Sequence, residues 1–107
     1  MLAWRCREAR KLVRLIGTWI VDDDDRRALS DLGSARLAFG ADGTLVYTVR
    51  GRDKDQIINL TYQVDGATIV TDQASAPRVE RTPFSLSEEG MLTLVFGGVA
   101  YRFRREA

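Results

Sequence analysis

Residues 15–21 read Leu15-Ile16-Gly17-Thr18-Trp19-Ile20-Val21. Successive side chains of a strand point to opposite faces, so Leu15, Gly17, Trp19 and Val21 share one face and Thr18 and Ile20 take the other. Gly17 lies beside a large ring and has no side chain of its own, which predicts the close approach of another backbone there. The stretch predicts the first strand of a barrel.

Upstream, residues 2–14 contain no Gly or Pro and place Leu2, Cys6, Ala9 and Val13 at three-to-four spacing. That spacing predicts a helix laid across one end of the barrel. Arg5, Arg7, Arg10, Lys11 and Arg14 stand against Glu8 here, so a basic amphipathic membrane anchor is the sharper alternative. It is weakened by the shortness of the segment and by Arg breaking its apolar face.

Downstream, Asp22-Asp23-Asp24-Asp25 precedes a short periodic segment that ends at Gly33. Acids before and glycine behind predict a helix over Asp25–Leu32. A calcium loop counted from Asp22 would need an oxygen donor at its fifth place and Gly at its sixth; Arg26 and Arg27 stand there, so that reading fails. From Ser34 the period is two. Leu37 and Phe39 lead to a turn at Ala41-Asp42-Gly43, and Leu45, Tyr47 and Val49 follow. Beyond the charged loop Gly51–Gln56, the face Ile58, Leu60, Tyr62, Val64 turns at Asp65-Gly66 into Thr68–Asp72. The remaining strands are expected at Val79–Leu86, Leu92–Phe96 and Val99–Arg104, with turns at Ser87–Gly90 and Gly97-Gly98. Consecutive strands without parallel crossovers predict a mainly β fold, an eight-stranded antiparallel up-and-down barrel. Pro83 has no N–H to give a ladder, which predicts a partly open barrel at the sixth strand.

At 107 residues the chain is expected to be a single domain over 1–107, with a helix over 1–14 and the barrel over 15–105. A net charge of +1 argues against a dedicated nucleic-acid binder. Cys6 is the only cysteine, so no intrachain disulfide forms and a reducing, cytoplasmic setting is the simpler expectation. The apolar run after the basic start is cut at Arg14, unlike a secretory signal, and no stretch is long and apolar enough to span a bilayer. The absence of histidine excludes His-dependent triads and most zinc sites. No cofactor or metal is expected.

In Gly17-Thr18-Trp19 and its eight-strand pattern the chain resembles the small lipocalin-like (calycin) domains. The resemblance implies a short N-terminal helix closing the barrel floor, and an arginine near the end of the last strand packed over Trp19. In Tyr101-Arg102-Phe103-Arg104-Arg105 the candidates are Arg102 and Arg104. The Asp25–Leu32 helix is similar in position to the lid of fatty-acid-binding proteins, though shorter.

Followed up and down, the strands put the longer polar connections at one end, the expected mouth. Inward parity from Phe84 and Leu86 places Thr82 and Glu80 inside, and a carboxylate there must be paired, neutralised or linked to a ligand. Tyr47, Tyr62 and Tyr101 share inward parity and offer hydroxyls to a ligand or to local partners. Glu80, Thr82, Tyr47, Tyr62 and Tyr101 are therefore the candidate ligand-binding residues, and Gly17, Trp19, Arg102 and Arg104 the structural signature. The leading expectation is non-catalytic binding of a small hydrophobic or amphipathic molecule. The alternative is a filled barrel serving protein interaction or homodimerisation through outward Val46, Ile57, Val70 and Val95. A small isomerase or cyclase, as some lipocalin-like proteins are, would have to work through Glu80 and a tyrosine.

Overall fold

The computed structural model describes residues 13–51, 53–73 and 77–106. The helix expected over 1–14 lies outside these residues except for its end, where Val13–Leu15 are helical. Eight strands follow: β1 (Gly17–Val21), β2 (Ala35–Phe39), β3 (Thr44–Val49), β4 (Gln56–Asp65), β5 (Thr68–Asp72), β6 (Glu80–Leu86), β7 (Met91–Phe96) and β8 (Val99–Arg105). Helix α1 (Arg26–Leu32) joins β1 to β2. Leu15 therefore closes the preceding helical turn, and β1 starts at Gly17.

The strands pair in sequence order, all antiparallel, and β1 pairs with β8 to close the barrel. This architecture is consistent with a calycin-like fold. Two strands change neighbours along their length. β4 aligns with β3 through Gln56–Thr61 and with β5 through Thr61–Asp65. β6 aligns with β5 through Glu80–Pro83 and with β7 only through Phe84–Leu86. Such stagger is what tilted barrel strands require. It also resolves Pro83. The barrel is closed rather than open at the sixth strand, because Pro83 ends the alignment with β5 one place before the alignment with β7 begins. The missing N–H falls at the changeover, where it breaks no ladder. Glu80–Pro83 then face β7 without aligned partners, leaving a notch opposite Val95 and Phe96.

The alternation foreseen in the sequence fills the barrel: Trp19, Leu37, Phe39, Leu45, Ile69, Leu92, Leu94 and Phe103 are all buried. At the floor, Trp19 is fully buried and its indole Nε1 donates to the Leu15 carbonyl at 2.8 Å. Arg105 lies 4.3 Å from the ring centroid and donates to the carbonyls of Ile16 (2.8 Å) and Arg14. The arginine over Trp19 is therefore Arg105, not Arg102 or Arg104. The ring occupies the core face, and on β8 that face carries Tyr101, Phe103 and Arg105. Arg102 and Arg104 point outward and pair with Asp22 (3.4 Å) and Asp23 (3.5 Å). Gly17 does mark a close approach, but of this side chain and not of a backbone. A Cβ on Gly17 would lie 2.5 Å from Arg105 Nη1, and Gly17 has φ +128°, which L side chains rarely adopt.

Helix α1 is tied down over the opposite end. Asp25 caps it by accepting from the Ala28 N–H at 3.1 Å, and its other oxygen accepts from the Arg102 N–H of β8 at 2.8 Å. The second bond leads the causes that hold the Asp25 carboxyl below the usual carboxylate range. Ala28 is fully buried, and Asp31 accepts from the Tyr101 hydroxyl at 2.8 Å. One cap, one core residue and two side-chain links to β8 hold α1 over this end.

Candidate functional site

A partly open pocket of about 120 Å³ lies inside the barrel. Its walls are aliphatic (Leu37, Leu45, Leu60, Ile69, Leu94) and aromatic (Phe39, Tyr47, Phe96), and its polar groups are Thr71, Glu80 and Thr82 in addition to the Tyr47 hydroxyl. Strand register explains the grouping. Thr71 is the cross-strand partner of Glu80, and Ile69 of Thr82, so all four belong to one face of the β5–β6 ladder. Glu80, Thr82 and Phe96 all lie on the stretches of β6 and β7 that have no aligned partners on the other strand.

Of the five residues expected to meet a ligand, Glu80, Thr82 and Tyr47 come together here. Tyr62 and Tyr101 do not. The Tyr62 hydroxyl donates to the Gly40 carbonyl at 2.7 Å, and its ring stacks edge-on against Phe39 with centroids 5.0 Å apart. That fixes it at the β2–β3 hairpin, at the floor. Tyr101 is spent on Asp31, and this bond to a carboxylate leads the causes that raise its hydroxyl pKa above the ordinary tyrosine value. Burial raises the Tyr47 hydroxyl pKa. Its hydroxyl has no hydrogen-bond partner among the described residues, nor do those of Thr71 and Thr82.

Glu80 sits at the rim, its side chain 54% exposed, and Arg78 Nε meets its Oε1 at 3.0 Å. An ion pair this exposed contributes on the order of 0–1 kcal/mol. The carboxylate is thus neither sealed in the barrel nor committed to a strong partner. Thr71 and the aromatic wall residue Phe96 were absent from the sequence expectation. Their inward parity was readable, but which inward residues border a void depends on where the core fails to fill.

A larger hollow of about 240 Å³ lies outside, among α1 and the outer faces of β1–β3. Its charged lining includes Arg36, paired with Glu106 at 2.8 Å, and Asp23, paired with Arg104. Arg36, Glu106 and Asp23 are thus already paired, although Arg50 and Asp55 line the hollow as well; the interior pocket, which joins an apolar wall to hydroxyls without partners among the described residues, is the better candidate. No three His, Cys, Asp or Glu side chains are grouped to hold a metal ion among the described residues. No helix among them is long and apolar enough to cross a membrane. In comparisons with known proteins, the chain matches no family model, no curated protein and no solved structure.

Proposed function

We propose that this chain is a non-catalytic, lipocalin-like module that binds a small, mainly apolar molecule with one polar end in the barrel pocket. The observation that carries the reading is the pocket itself, an apolar interior onto which the half-buried Tyr47, Thr71 and Thr82 bring hydroxyls that have no partner among the described residues. A few polar groups converging on an otherwise apolar pocket fix the orientation of a bound molecule. The Gly17–Trp19–Arg105 arrangement at the floor supports the lipocalin-like resemblance.

Size restricts the ligand. Drug-sized pockets run to roughly 300–1,000 Å³, whereas an apolar cavity of about 150 Å³ takes benzene. A pocket of about 120 Å³ suits a single ring or a short chain, with its polar end at the rim. Titration of the protein with toluene, followed by methyl NMR, tests this. Shifts at Leu45, Leu60 and Leu94 are expected, and their absence at saturating toluene would refute the proposal.

A second reading draws on the same small volume. A barrel this nearly filled suits an interaction module, and Ile57 on its outer wall is 60% exposed. Native mass spectrometry separates the two: a retained small molecule supports the first, a homodimer without one the second.

A further inference from the structure

We infer that the molecule taken by the barrel pocket carries a protonated amine, which Glu80 holds at the rim while the apolar body lies inside. This rests on the pocket reading above and adds the ligand's charge. Among the described residues lining the pocket, Glu80 is the one charged side chain, and no Arg or Lys joins it. An anionic ligand would meet a carboxylate with no cation in the wall to offset it. An ammonium would meet that carboxylate together with hydroxyl oxygens on Thr71 and Thr82 that have no partner among the described residues. Tyr47 and Phe96, toward the same end of the pocket, add rings that attract a cation.

The present partner of Glu80 does not stand in the way. Arg78 has a side chain 79% exposed and lies outside the pocket lining, so it acts as an external counter-ion. Exchanging its guanidinium for a ligand ammonium sacrifices only an exposed pair of small worth.

The test uses benzylamine, benzyl alcohol and benzoate, one ring with three end groups, titrated into the full chain at pH 7 and followed by amide NMR. Benzylamine is expected to shift Thr71, Glu80 and Thr82 and to bind about tenfold tighter than benzyl alcohol, with benzoate weakest. Glu80→Gln, an exposed isosteric change, should bring benzylamine to within about twofold of benzyl alcohol while leaving benzyl alcohol unchanged. Arg78→Ala should tighten benzylamine, because it removes the competing cation. Benzyl alcohol or benzoate binding as tightly as benzylamine would overturn the amine inference and leave the pocket reading standing. So would an amine preference that survives Glu80→Gln, or benzylamine weakened by Arg78→Ala. If none of the three probes shifts a pocket amide, both readings fall together.

Discussion

Replacing Trp19 tests the floor of the barrel, because three separate interactions meet on one side chain. The ring is fully buried, its N–H donates to Leu15, and the Arg105 guanidinium covers its face at 4.3 Å. Trp19→Ala leaves a cavity the size of an indole and should cost roughly 3–5 kcal/mol. Against a total stability of about 5–15 kcal/mol for a small domain, that takes much of what the fold has. For a chain of this length it corresponds to a fall in Tm of roughly 13–22 °C. Trp19→Phe keeps a ring but loses the N–H, which should cost about 1 kcal/mol for the hydrogen bond alone. The guanidinium–indole contact is isolated by a double-mutant cycle with Arg105→Met, which preserves the alkyl stem. A coupling of roughly 0.5–2 kcal/mol is expected from urea unfolding followed by far-UV circular dichroism. A cost for Trp19→Ala below about 1 kcal/mol would refute the account of the floor, since no fully buried indole is lost so cheaply. A coupling indistinguishable from zero would refute the role given to Arg105.

Gly17→Ala should destabilise by about 1–3 kcal/mol, because it forces a side chain into φ +128°; a neutral change in the same urea assay would contradict that. Asp25→Ala removes a helix cap and the acceptor for the Arg102 N–H, and should cost about 1 kcal/mol with loss of hydrogen-exchange protection in α1. Because the folded-state pKa of Asp25 is depressed, its contribution is complete above the unfolded value near 3.8 and is lost as pH falls through the folded one. Asp25→Asn should therefore flatten part of the acid limb of a stability–pH curve. Tyr101 behaves oppositely: its folded-state pKa is raised, so its contribution is complete below the unfolded value near 10 and fades as pH rises through the folded one. Tyr101→Phe should remove that part of the alkaline decline, which thermal unfolding between pH 8 and 11 would show.

Strand alternation made the barrel legible in the sequence. Half-buried strands write their orientation into every second residue, and the turn glycines punctuate them. The arginine over Trp19 was legible in principle, because carrying the parity of Phe103 one step onward reaches Arg105. Nearness to the strand end points instead to Arg102 and Arg104, and those two serve the aspartates after β1. Pairings such as Tyr101 with Asp31, 70 residues apart, have no local trace. The outcome at Pro83 was also hidden. A proline forbids one ladder bond, but only the stagger of three strands decides whether that bond was ever needed. For the candidate site, parity identified Glu80, Thr82 and Tyr47 and equally Tyr62 and Tyr101. What separated Tyr47 from Tyr62 and Tyr101 was whether the hydroxyl found a carbonyl or carboxylate nearby, a matter of tertiary distance.

The seam between β1 and β8 also bears on how fast this chain folds. Every other ladder joins consecutive strands through a connection of modest length. The seam must bring together groups as far apart as Arg105 and Ile16, 89 residues along the chain. Hairpins form within microseconds, whereas non-local closure in all-β domains sets rates in the millisecond-to-second range. The sheet can thus assemble before the barrel exists, with closure as the slow step. Trp19 is stacked by Arg105 only once that step is complete, so its ring times the closure of the barrel separately from the formation of its strands.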